Sequence, residues 1–141
     1  MASYNKFNQF IEDLGLGVHD LDAAADVLNV YASNGTPDAE ADAIKTDFAE
    51  ITPENGYPSG GSDCQNTWTR TTVTATLACQ DVVWTASAGG FGPLQYVAMY
   101  NDTQTTPVDP LICWWDYGSA VSPAVGETFT VDFGASTFTL A

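Results

Sequence analysis

The sequence predicts a mainly β domain, an antiparallel β-sandwich or jelly-roll-like fold with a short N-terminal helix. Three features carry that prediction. In residues 70–79, Val73, Ala75, Leu77 and Cys79 alternate with Thr72, Thr74, Thr76 and Ala78, the period of two that separates a buried from a polar strand face. Residues 94–101 (LQYVAMYN) and 111–117 (LICWWDY) are apolar on nearly both faces, which places them centrally in a sheet. Glycine, proline and asparagine punctuate the intervals between such runs, as in sandwiches and jelly rolls.

The elements follow in order. Tyr4, Phe7, Phe10, Ile11 and Leu14 recur at steps of three and four, so residues 1–16 read as an amphipathic helix or arm, with Ser3 as N-cap and Gly15 and Gly17 as stops. Such a segment serves either to pack on its own domain or to dock on a neighbour. Residues 26–32 (DVLNVYA) read as the first strand, ended by Asn34-Gly35. Thr36, Pro37 and the acids Asp38, Glu40 and Asp42 then form a helix-start pattern. Residues 54–66 (ENGYPSGGSDCQN) are a long Gly- and Pro-containing loop, a natural contact region. Strands follow at 70–79, 81–86, 94–101 and 111–117. Residues 128–133 and 137–140 read as a closing hairpin. The whole chain, 1–141, fits one domain of seven or so strands.

Charge restricts the function classes. Lys6, Lys45 and Arg70 stand against 18 acids, a formal net charge of −15. Binding a phosphate backbone means neutralising it with cations, and three cannot build that footprint. An anionic membrane is disfavoured for the same reason. No apolar run approaches the ~20 residues of a membrane helix, and Met1–Lys6 lacks a signal-peptide layout, so assembly in a cytoplasm is expected. The acidity suits self-repulsion and solubility, or a basic partner or divalent cations.

Cys64, Cys79 and Cys113 form no Cys-x-x-Cys pair and no zinc spacing. Cys79 and Cys113 sit in apolar strand patterns and are expected buried and reduced; Cys64, in a polar loop, is expected exposed. His19 is the only histidine, distant in sequence from any nucleophile, and reads as a capped or solvated loop residue. Asp116 lies among Trp114, Trp115 and Tyr117. An acid there has the setting for a raised pKa, but a strand-end carboxylate bonded to a turn backbone is the simpler reading. Asp38, Glu40 and Asp42 match the first ligands of an EF-hand loop, yet Ala43 replaces the required glycine and Ala49 the final acid. Gly89-Gly90-Phe91-Gly92 lacks the ending of a phosphate loop. No catalytic residue, metal site or cofactor is expected. Trp68, Trp84, Trp114 and Trp115 permit sugar stacking if exposed, and core packing otherwise.

Five stretches also resemble a family of small virion structural proteins of tailed phages: YNKFNQFIEDLGLGVHDL, DFAEITPENGYPSGG, VVWTASAGGFGPLQYVAMYNDT, LICWWDYG and GETFTVDF with its FTLA ending. The resemblance covers about half the chain, in one order, and WWDYG and GETFTVDF are its most specific parts. It implies a head decoration (cement) protein on the capsid exterior. The major capsid protein would be its partner, and the symmetry of capsid positions implies a homo-oligomer, a trimer ahead of a dimer. Under that reading the expected contact residues are Tyr4, Phe7 and Phe10 in the N-terminal segment, and Tyr57 and Cys64 in the loop. A neck, tail or baseplate component is the nearest alternative, and a carbohydrate-binding module for host attachment the next.

Overall fold

The structure, a computed structural model, describes residues 2–141. It is mainly β, with antiparallel sheets and one short helix near the N-terminus. The elements are β1 (Asn5–Lys6), α1 (Gln9–Gly15), β2 (Leu28–Ser33), β3 (Ser62–Asp63), β4 (Thr67–Thr71), β5 (Thr74–Ala78), β6 (Val82–Thr85), β7 (Leu94–Asn101), β8 (Leu111–Val121), β9 (Thr128–Val131) and β10 (Phe138–Leu140).

Five strands form the principal sheet in the order β1-β8-β7-β2-β3. The stretches apolar on both faces, β7 and β8, hold its interior, as their patterning predicts. Each face buries a separate cluster. One face packs Leu28, Val30, Val97, Met99 and Ile112 against Leu77, Trp84, Phe129 and Phe138 from two smaller sheets, β10-β5-β4 and β6-β9. The other face buries Tyr31, Ala98, Tyr100 and Leu111 beneath Phe7 and Phe48. The result is a sandwich whose large sheet carries a further layer of irregular chain on its outer side.

That outer layer corrects two readings. The N-terminal segment is not one helix from Ser3. Asn5 pairs with Trp114 and Lys6 with Cys113, and the helix begins only after Asn8. The three-residue step from Tyr4 to Phe7 is a strand step, which sends the two rings to opposite faces. Tyr4 packs on Phe138, while Phe7 lies 4.6 Å from Trp114 by ring centroids. The segment after Thr36-Pro37 forms turns, not a helix. One helical bond forms, from Asp42 N–H to the Asp38 carbonyl at 2.9 Å. Further growth is blocked because the Ala43 carbonyl accepts from Leu111 N–H, 2.9 Å, across the chain.

The strand expected over 70–79 is a hairpin instead. Thr71 pairs with Thr74, leaving Thr72 and Val73 as a two-residue turn with Val73 exposed. Thr72 takes a positive φ of 54°, unusual for a β-branched residue. Its carbonyl accepts from the Arg70 guanidinium at 2.7 Å. The closing hairpin is also absent, for β9 pairs with β6 and β10 with β5.

The loop 54–66 is clamped. One Glu50 carboxylate oxygen accepts from the Tyr57 hydroxyl at 2.9 Å and from Gly60 N–H at 2.8 Å; the other takes Lys45 at 2.7 Å. Gly61 (φ 71°) lies so close to the Val30 carbonyl that a methyl group there would collide with it.

His19 is buried, not solvated. Its Nδ1 lies 3.2 Å from the Asn101 side-chain amide, which also donates to Asp26 at 2.6 Å. Asn101 N–H then points at Nδ1 and leaves the neutral ring's proton on Nε2. Burial holds the His19 pKa below its ordinary value, opposed by the charges of Asp13 and Asp26.

Stability measurements test this packing. Phe7→Ala should lower unfolding free energy by about 3–5 kcal/mol, read by urea titration, because the ring is fully buried. Removal of residues 1–14 should leave no cooperative transition at all; a truncated chain that still melts sharply would contradict the integral role of this segment. The buried histidine sets a pH dependence. A histidine depressed in the folded state stabilises fully above the unfolded value of about 6.5, and that stability is lost as pH falls below it toward the folded pKa. Urea midpoints of the wild type should therefore fall as pH drops below about 6.5, and His19→Gln should flatten that part of the profile.

Candidate functional site

A concavity of functional interest lies where the principal sheet meets β9. It is a groove of about 510 Å³ lined by Tyr4, Val97, Trp115, Tyr117, Phe129 and Phe133, with Thr130, Asp132 and Ser136 at its polar side.

Strand alternation builds it. Along β8, Trp114 faces the outer cluster beside Phe7, so Trp115 faces the other way. There its ring meets Phe133 at 5.5 Å, near perpendicular, and Tyr4 at 6.4 Å. Phe129 is buried, stacked on Trp84 at 6.1 Å and edge-on to Tyr117 at 5.5 Å. The alternation of β9 that buries Phe129 and Val131 leaves Thr130 and Asp132 exposed.

A bulge in β8 forms one rim. Tyr96 pairs with Asp116 and Leu94 with Val121, so residues 117–120 stand opposite Gln95 alone. Extra residues on one strand bend it and raise its local twist. Gly118 takes a φ of 97°, and its N–H donates to the Asp116 carboxylate at 2.7 Å; Gln95 donates to the same oxygen at 3.1 Å. Asp116 is therefore the turn-bonded carboxylate of the simpler reading. The bulge carries Tyr117 over the groove with 58% of its surface exposed. Burial, with a smaller contribution from Cys113, pushes the Tyr4 phenol well above its ordinary value, so it stays a neutral donor.

The expected contact residues are mostly elsewhere. Phe7, Phe10, Tyr57 and Cys64 are buried within this domain, so none presents a surface to a partner. Phe7 and Phe10 fill opposite faces of the sheet, and Tyr57 accepts from Ala32 N–H at 2.9 Å beneath its loop. Cys64, expected exposed, is drawn inward by the bond from its N–H to the Leu28 carbonyl at 3.0 Å. Only Tyr4 reaches the groove. Sequence reasoning missed Tyr117, Phe129, Asp132 and Phe133 as a group. Their convergence depends on pairing between distant strands, although the Gly118 after WWDY marked a break.

Among the tryptophans, Trp84 is buried, Trp68 is partly buried against the same core and Trp114 packs on the outer cluster, leaving Trp115 as the one at the groove. Chemically, the groove offers aromatic faces and edges, hydroxyls and one exposed carboxylate. That set suits an apolar or planar group carrying a cationic or hydroxylated edge.

Comparison with protein-family models, with curated proteins and with solved structures finds no match for this chain.

The exposures predict a separation of stability from recognition. Tyr117→Ser should change unfolding free energy by less than about 1 kcal/mol, whereas Phe133→Ala, at a buried ring, should cost about 3–5 kcal/mol. Equal losses in urea titration would mean that Tyr117 is a structural rim residue with nothing to spare for a ligand.

Proposed function

We propose that this chain is a structural virion protein of a tailed phage, a decoration (cement) protein that binds the outer capsid surface and stabilises the shell. Two supports are independent of each other. One is the ordered resemblance of five sequence stretches to that family. The other is the open aromatic groove beneath Tyr117, and this observation carries the reading to a surface. It is a hot-spot geometry: rings partly buried, with a polar rim and an exposed anchor.

The partner's chemistry follows from the charge. Of the three cations, Lys45 is held by Glu50, and the acids outnumber the cations sixfold. A coat-protein surface presenting an apolar side chain flanked by lysine or arginine would complement both groove and field. Attachment needs interface area across joints between coat subunits, and a homotrimer or homodimer would match their symmetry.

A carbohydrate-binding role in host attachment is the second reading. The exposed Tyr117 ring beside half-buried Trp115, with Thr130, Asp132 and Ser136 within the same groove, favours it as a sugar platform. A neck, tail or baseplate position shares the structural reading and differs in copy number.

The test is sedimentation of purified protein with particles lacking it. Wild type should bind at a fixed ratio near that of coat protein, more weakly at high salt. Tyr117→Ser should weaken binding roughly 10- to 100-fold, the scale of an interface hot spot, without lowering the melting temperature. Unaltered binding would remove the groove from the interface. Binding only to a glycan array, lost on the same substitution, would replace decoration by host attachment.

A further inference from the structure

Within the larger core cluster, two of the three cysteines meet. Cys64 and Cys79 are both buried, with their sulfurs 2.7 Å apart. Backbone bonds fix this approach independently of the side chains. Gln80 N–H donates to the Cys64 carbonyl at 2.8 Å, and Cys64 N–H donates to the Leu28 carbonyl at 3.0 Å. The chain leaving β5 is thereby tied beside the chain leaving β3. The two backbones are thus adjacent, and each presents its thiol to the other. Cys113, also fully buried, belongs to the same core but lies in mid-strand on β8.

We propose that Cys64 and Cys79 are a dithiol built to close into an intramolecular disulfide on exposure to a small-molecule disulfide oxidant such as oxidised glutathione, with Cys113 remaining a free thiol. The two reactive residues differ in character. Cys79 is the more exposed, at 8% against 0%. The hydrogen bond from Cys64 holds the Cys79 thiol below its ordinary pKa, while that bond and burial push Cys64 up. As the more exposed of the pair, Cys79 is the one a dissolved oxidant meets, and it attacks as the thiolate. It displaces one glutathione thiolate from the oxidant and forms a mixed disulfide. Cys64 gives up its proton and attacks the Cys79 sulfur, releasing the second glutathione. The balance is two protein thiols and one oxidised glutathione in, one protein disulfide and two reduced glutathiones out.

The bond would close a loop from 64 to 79 containing the exposed β4–β5 hairpin. Closing about 15 residues restricts the unfolded chain, so oxidation stabilises the native state without rearranging it. A chain assembled under reducing conditions and later exposed to oxidising surroundings would thus be locked in place.

The experiment uses the full chain. Native protein is incubated with oxidised glutathione, thiols are blocked in denaturant, and the product is cut without reduction by trypsin together with a protease cleaving before aspartate. Arg70, Asp63, Asp81, Asp109 and Asp116 then place the cysteines on separate peptides, 63–70, 71–80 and 109–115. The expected product is a single cross-link of 63–70 to 71–80, a fall from three free thiols to one, and a melting temperature higher by roughly 5–15 °C. Cys113→Ser should keep all but the residual thiol, and Cys79→Ser should abolish the rise. Three unreacted thiols, a cross-link to 109–115, or stable glutathione adducts without a cross-link would overturn the proposal. The mapping on wild-type protein decides it even if a variant fails to fold.

Discussion

The fold depends on a sheet that is apolar on both faces. Strands β2, β7 and β8 bury Val30, Met99 and Ile112 on one side and Tyr31, Tyr100 and Leu111 on the other. Burial of such rings removes roughly 25 cal/mol of cost per Å² of apolar surface, and neither face can be left in water. The smaller sheets cover one face. The other is covered by whatever chain remains, which is the N-terminal segment and the irregular run through Phe48. Both segments lack the length or regularity for a second sheet. They are held instead by the two-residue pairing of β1 with β8 and by scattered bonds to the principal sheet, such as Phe7 N–H to the Ile112 carbonyl and Tyr31 hydroxyl to the Phe48 carbonyl.

This dependence explains what was legible in the sequence. The runs at 94–101 and 111–117 were legible as central strands because double-faced apolarity has one interpretation at that length. The outer layer was not, because its residues answer to the sheet and not to a local period. Tyr4, Phe7 and Phe10 look helical by spacing, yet only Phe10 lies in the helix, and Tyr4 and Phe7 flank the short strand β1. Phe7 and Phe10 then cease to be available for a partner. His19 and Cys64 carry the same lesson. Polar neighbours suggested solvent, but His19 meets Asn101 and Asp26 from distant segments, and Cys64 meets Leu28 and Cys79.

The excess of acid also has a structural component. Asp38, Asp42, Asp47, Asp63, Asp116 and Glu127 each accept from nearby backbone N–H groups. Carboxylates in this role replace the missing bonds of turns, where the chain leaves regular structure. An irregular covering layer needs many such acceptors, so part of the net charge follows from the fold itself. The same groups remain mostly on the surface, and the field they generate acts on any approaching partner.

The groove in turn exists because an expected hairpin does not form. Instead β9 follows β6 and β10 follows β5, and residues 132–137 cross the gap between them. Phe133 N–H is anchored to the Asp81 carboxylate at 3.0 Å, which holds that crossing open. On the facing strand the bulge at 117–120 spends four residues to lift Tyr117 above the opening. Two departures from regular pairing, on strands distant in sequence, thus converge on one aromatic groove. A sandwich optimised for burial alone would have closed both, since each leaves ring surface exposed that a regular ladder would cover. The ring surface left open is that of Tyr117, beside half-buried Trp115.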